Sequence, residues 1–204
     1  YNRDASSQHR PAVFVFASDI RVTRIRNGRY RGSDGIYATT VHELTHAGHR
    51  ELDPGIFSIV ARSCRRNMRM ESWAEGVETI VTNDRYFGIS NSYRSTEPRD
   101  VSESSARWNR WRQERRATQF NEYTPIVEDL VDNNNQNNID DDFPVDKVNG
   151  YTLNQIQTAL KGSRSPNTWR NKLYANRPHG VTTSAENAVF AYMNQALNNP
   201  QTCD

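Results

Sequence analysis

The sequence predicts an α+β fold that is mainly helical, with a small antiparallel edge sheet leading into one central helix and a helical C-terminal part following. Three observations carry that expectation. Residues 12–16 (Ala-Val-Phe-Val-Phe) and 19–25 are β-branched and aromatic runs, the second alternating at Ile20, Val22 and Ile25. Asn27-Gly28 is a hairpin turn signal, with the chain returning through Tyr30. Beyond residue 150 the chain carries three helix starts in close succession, each with its own capping residue.

The elements follow in order. Ser33 or Asp34 is expected to cap the central helix, and Gly48 to end it or bend its last turn, ahead of a firm turn at Asp53-Pro54-Gly55. Residues 56–70 read as a short helix or a loop. A stronger helix is expected over about 69–85, with Trp73, Val77, Ile80, Val81 and Asp84 at helical spacing and Glu71, Glu75 and Glu78 on an adjoining face. Like charges at that spacing repel, so a cation or arginine partners must hold them. Residues 88–106 form a long polar loop. Residues 102–118 form a basic helix with Trp108 and Trp111, read as a solvated helix anchored by two tryptophans rather than as a nucleic-acid surface.

Thr124-Pro125 opens a helix through Val131. The Asn- and Asp-rich stretch 132–142 invites a calcium reading, but the EF-hand pattern needs Gly and Glu where Asn137 and Phe143 stand, so a polar linker is favoured. The three C-terminal helices start at a Thr152-to-Gln155 capping box ending at Gly162, at Ser165-Pro166, and at Ser184, the last running through Leu197. The resulting organisation is a first unit over 1–131, a linker or loop over 132–149, and a helical subdomain over 150–204 packed on the first.

Composition excludes several classes. A net charge of +2 in 204 residues gives no argument for nucleic acid, and no apolar run is long enough to span a membrane. Mean hydropathy is −0.90, yet four Trp, nine Tyr and seven Phe can supply a core. Most basic residues are Arg, suited to bidentate pairing with carboxylates. Cys64 and Cys203 could tie the tail to the body by a disulfide or stay as free thiols; their spacing is not that of metal ligands.

The chemistry concentrates in the central helix. His42, Glu43 and His46 spell H-E-x-x-H. On a helix, residues at i and i+4 share a face, so two imidazoles can ligate one zinc ion while the carboxylate between them takes a proton from a water on the metal. A catalytic zinc needs a third protein ligand. The metzincin continuation would put Gly and His where His49 and Leu52 stand, which excludes that class. A helix does not readily wrap a metal with i, i+4 and i+7, so His49 is read as a helix-end residue near the site. The missing ligand is then a carboxylate from the second helix, in Glu71-Ser-Trp-Ala-Glu75-Gly-Val-Glu78.

This arrangement resembles the gluzincins, zinc metallopeptidases in which a Glu on a second helix completes H-E-x-x-H. Two alignments compete. The thermolysin-like E-x-x-x-D pattern makes Glu71 the ligand and Glu75 the acid that orients His42; the aminopeptidase-like W-x-x-E-G pattern, matched loosely by Trp73-Ala-Glu75-Gly76, makes Glu75 the ligand. Glu71 is favoured because it leaves an acid one turn on to orient the histidine. The segments Glu71-Ser-Trp-Ala and Gly150-Tyr-Thr-Leu-Asn-Gln-Ile are also similar to uncharacterised secreted bacterial zinc-protease-like proteins.

The resemblance implies a zincin-like fold and a zinc-dependent metalloendopeptidase or aminopeptidase-like activity on a peptide or protein substrate. Zn²⁺ would sit on His42, His46 and Glu71, with Glu43 as general base. It implies a secreted, periplasmic or cell-surface location, any signal segment being absent from this chain. Candidates for the oxyanion donor are Tyr86, Tyr93, Tyr151 and His179. The rival readings are a zincin-fold binding module without turnover and a zinc amidase acting on a cell-wall substrate.

Overall fold

The structure is a computed structural model that describes residues 8–10, 19–26, 29–57, 64–86, 89, 123–132, 135 and 145–198. These residues are mainly helical. Six α-helices run in chain order: α1 (Ser33–Leu52), α2 (Cys64–Tyr86), α3 (Ile126–Val131), α4 (Leu153–Leu160), α5 (Pro166–Tyr174) and α6 (Thr183–Asn198). Four short strands precede them: β1 (Gln8–Arg10), β2 (Asp19–Arg21), β3 (Ile25–Arg26) and β4 (Arg29–Tyr30). The expected strand at 12–16, the basic helix at 102–118, most of the loop at 88–106 and most of the 132–142 stretch lie outside the described residues, as do Cys203 and the Cys64 side chain.

β3 and β4 pair antiparallel with Ile25 opposite Tyr30 and Arg26 opposite Arg29, the register a two-residue connection at Asn27-Gly28 requires. β2 pairs instead with β1, His9 opposite Ile20. Nothing in Gln8-His9-Arg10 alternates, so that partner carried no periodic signal. Both strands of this pair lie against α1. Arg31 fastens the hairpin to the helix: its guanidinium donates to Thr23 O at 3.2 Å and to Gly35 O and Thr39 Oγ1.

The ends of α1 differ from the expectation. Extended Gly32, not Ser33 or Asp34, is the N-cap, and no side chain caps it. Ser33 and Asp34 sit inside the first turn, where the Asp34 carboxylate suits the positive end of the helix. Gly48 neither ends nor caps the helix, which continues one further turn to Leu52. The stop comes at Asp53, whose N–H bonds His49 O at 2.9 Å. The Asp53 carboxylate accepts from Gly162 N at 2.8 Å and from Arg164 Nη2 at 2.7 Å, tying the end of α1 to the α4–α5 turn. Gly162 has φ 69°, a left-handed conformation that glycine adopts without strain, and this aims its N–H at Asp53. Pro54–Phe57 then forms a 3₁₀ turn.

α2 begins at Cys64, five residues before the expected start. It packs antiparallel to α1, Tyr37 meeting Tyr86 at one end while His46 meets Glu71 toward the other. On its other side α2 meets α3, and here Gly76 is required: a Cβ at that position would lie 2.3 Å from Val127 Cβ. The apolar core joins Met68 and Trp73 of α2 to Ile126, Val127 and Leu130 of α3 and to Ile156, Leu160, Trp169, Leu173, Phe190 and Met193 of the C-terminal helices. Trp169 and Phe190 meet edge to face, ring centroids 5.6 Å apart.

The C-terminal starts at Thr152 and Ser165 are as the sequence predicts. Thr152 and Gln155 cap reciprocally, and so do Ser165 and Thr168, with Pro166 in the first turn of α5. For α6 the cap shifts: Thr182 Oγ1 accepts from Ala185 N at 3.2 Å, so Ser184 lies within the helix. The described end of the 132–149 stretch is anchored rather than loose. Val148 is buried, and Gly150 N and Tyr151 N both donate at 3.1 Å, to Val131 O and Leu130 O at the end of α3.

Candidate metal centre

His42 and His46 project from one face of α1, one turn apart, their rings edge to face with centroids 4.7 Å apart. The two Nε2 atoms stand 3.1 Å from each other. Glu71 of α2 closes a triangle: its Oε2 is 3.2 Å from His42 Nε2 and 3.3 Å from His46 Nε2. Among the described residues this is the group of three metal-ligating side chains whose donor atoms all fall within 4.8 Å.

Those separations fit a small cation. Tetrahedral ligands held at zinc distances lie about 3.3–3.4 Å from one another. Two imidazole nitrogens at 3.1 Å cannot both present lone pairs to each other without a proton or a metal ion between them. His46 Nδ1 is buried without a hydrogen-bond partner. Glu71 is the most exposed of the group, at 24 % against 13 % and 10 % for the histidines, so solvent approaches the cluster from its side.

The site has a supporting carboxylate. Glu78 accepts from His42 Nδ1 at 3.0 Å, which fixes the ring and turns Nε2 toward the cluster. Seven residues make nearly two helical turns, so Glu78 shares the stripe of Glu71 on α2. This corrects the expectation that Glu75 orients His42. Glu75 is buried and lies outside the group of three, whereas Glu71 lies within it. The Trp73 and Gly76 that suggested the other alignment are explained by packing: Trp73 belongs to the core and Gly76 admits Val127.

Electrostatics reinforce the geometry. Burial by itself would lower the pKa of His42, but hydrogen bonds and charge from Glu71 and Glu78 raise it to about 10. Burial would likewise raise Glu71, and His42 and His46 instead pull it down to about 2. Without a metal ion, a proton on His42 must balance the two carboxylates; a bound cation would replace it.

Glu43, beside His42 on α1, is buried at 6 % exposure. His49 is buried too, both ring nitrogens lacking a hydrogen-bond partner, and it joins Phe57 rather than the cluster. Phe57 lies edge-on to His46 as well, centroids 6.4 Å apart. Tyr123 sets its ring 6.4 Å from that of His42, carried on a segment that Thr124 fixes to α2 through Ser72 Oγ at 2.8 Å. Phe57 and Tyr123 stand in turn and loop segments with no periodic pattern, so the sequence offered no signal for either.

The oxyanion candidates lie elsewhere or are committed. Tyr151 is in the core, its hydroxyl donating to Glu186. Tyr86 packs edge-on against Tyr37, about 22 Å along the α2 axis from Glu71. His179 is exposed in the α5–α6 connection, and Tyr93 lies outside the described residues. Comparison with protein-family models, curated proteins and solved structures finds no match to this chain.

Proposed function

We propose that the chain is a zinc-dependent hydrolase of zincin-like fold, acting on peptide bonds. One observation carries the reading: two histidines from one helix and a glutamate from the next bring three donor atoms to 3.1–3.3 Å of one another, beside a buried glutamate in H-E-x-x-H. Zinc held by His42, His46 and Glu71 would supply Lewis-acid polarisation of a carbonyl and acidify water there.

The chain's own residues divide the remaining work. Glu43 takes the proton of the attacking water on its carboxylate and returns it to the leaving nitrogen. Glu78 holds the His42 tautomer that leaves Nε2 free to ligate. The aromatic edges of Tyr123 and Phe57 limit how far His42 and His46 can turn. The short strands beside α1 offer an edge where an extended peptide substrate can add. A secreted, periplasmic or cell-surface location goes with this reading, and no helix of the described residues is long and apolar enough to cross a membrane.

The test pairs metal analysis with a peptide-library digest. The parent protein is expected to carry about one zinc per chain and to cleave peptides. Glu43→Gln is expected to keep the zinc and lose roughly 10²–10⁴-fold in rate. Zinc binding with no turnover by the parent would favour a binding module, a reading to which the commitment of Tyr151 to the core lends weight. Turnover of cell-wall amides but not peptides would move the substrate class.

A further inference from the structure

The two histidines of the proposed zinc site are not held alike. His42 donates from Nδ1 to Glu78 at 3.0 Å, whereas His46 Nδ1 is buried and has no hydrogen-bond partner among the described residues. The tautomer of His46 follows from the cluster itself. Its Nε2 lies 3.1 Å from His42 Nε2 and 3.3 Å from Glu71 Oε2, so the lone pair that would ligate is on Nε2 and the ring proton is on Nδ1. A buried N–H without an acceptor is costly, and a ligating histidine as a rule donates its second ring nitrogen to some acceptor.

Three residues further along α1 stands a side chain in the same condition. His49 is 2 % exposed, and both of its ring nitrogens are buried and unpartnered. Residues at i and i+3 share a helix face with their Cβ atoms about 5–6 Å apart, which makes His46 and His49 neighbours. Phe57 fixes the relation from the other side: its ring stands edge to face with both, centroids 6.4 Å from His46 and 5.5 Å from His49. Three orphaned nitrogens therefore lie on one side of α1, beside the same aromatic ring.

We propose that His49 is the positioning residue for His46, holding its ring through one buried water that accepts from His46 Nδ1–H and donates to a His49 nitrogen. It does for His46 what Glu78 does for His42. The proposal rests on the zinc reading, in which His46 is a ligand; His49 touches neither metal nor substrate and acts only through His46.

The chemistry of His49 suits the task. Burial lowers its pKa to about 4, so near pH 7 the ring is neutral and offers one lone pair and one N–H. The two rings do not bond directly, and a single water between two polar groups is nearly as good as a direct bond. The Asp53 carboxylate, the next acceptor along the chain, is engaged by Gly162 N at 2.8 Å and by Arg164 Nη2 at 2.7 Å. An apolar side chain at so buried a position would carry no orphaned nitrogens, which gives the test its contrast.

That test measures the zinc affinity of the full-length protein by competition with a chelator, in the parent, His49→Leu, His49→Gln and Glu71→Ala. His49→Leu keeps apolar contact with Phe57 and removes the acceptor; it is expected to bind zinc about 10–100-fold more weakly than the parent. His49→Gln keeps an acceptor oxygen and is expected to stay within a few-fold. A merely structural role predicts the reverse order, because Leu suits a buried site better than Gln. Diffraction from zinc-loaded parent crystals is expected to show a water about 2.7–3.2 Å from both His46 Nδ1 and a His49 nitrogen. The proposal is overturned if His49→Leu binds zinc as tightly as the parent, or if no water joins the two rings in the zinc-loaded parent. The diffraction needs no variant, so misfolding of His49→Leu cannot protect the proposal. A parent that binds no zinc, or a Glu71→Ala protein that binds it as tightly as the parent, overturns the zinc reading and this proposal with it. That result is distinct from a zinc-binding parent indifferent to position 49.

Discussion

Glu78 shows how much a single carboxylate can contribute at the proposed metal centre. It is not one of the three candidate ligands, yet it fixes His42 through Nδ1 at 3.0 Å. Glu78→Gln removes the charge and leaves an amide of the same shape, which is expected to weaken zinc binding by about 10–100-fold. A competition titration against a chelator of known affinity measures it, and Glu75→Gln in the same assay is expected to bind zinc within a few-fold of the parent. His49 provides the pH-dependent prediction at this scale. Burial, opposed by Asp53 and assisted by His46, Arg69 and Arg164, lowers its pKa from 6.5 to about 4. Between those values the unfolded chain binds a proton that the folded chain refuses, so stability rises with pH across the window and is lost as pH falls through it. The contribution is about 3 kcal/mol when complete. Urea denaturation at pH 7 and near pH 4 is expected to show that loss in the parent and a shallower slope in His49→Leu.

At the scale of elements, the contact of α2 with α3 depends on one missing side chain. A methyl at Gly76 would meet Val127 at 2.3 Å, and Val127 is itself fully buried. Gly76→Ala is expected to destabilise the protein by about 1–3 kcal/mol through overpacking, whereas Gly76→Ala combined with Val127→Ala is expected to recover part of the loss. Thermal denaturation of the two variants decides it. Much of this level was legible in the sequence. H-E-x-x-H is a pattern of adjacent residues on one helix, and the boxes at Thr152–Gln155 and Ser165–Thr168 are equally local. What was not legible depends on distant contacts. Gly48 looked like a terminator, but the end of α1 is set by Asp53 binding Gly162 and Arg164, more than a hundred residues away. Glu75 and Glu78 are equivalent as sequence, and only the packing of α2 on α1 gives His42 to the latter.

At the scale of the whole molecule, the proposed zinc site rests on two helices held by a core that extends into the C-terminal segment. Asp53 with Arg164 is one polar link between those parts, a contact in which Asp53 is nearly buried and Arg164 half exposed. Asp53→Ala removes the partner of both Arg164 and the Gly162 N–H and is expected to cost about 2 kcal/mol, read as a lowered urea midpoint with an unchanged slope. The proposed zinc centre is the part on which the functional reading depends. The most direct test is diffraction from zinc-loaded crystals with anomalous data collected at the zinc edge. A peak about 2.0–2.2 Å from His42 Nε2, His46 Nε2 and a Glu71 carboxylate oxygen is the predicted result. A peak that is absent there, or one ligated by Glu75 in place of Glu71, would contradict it.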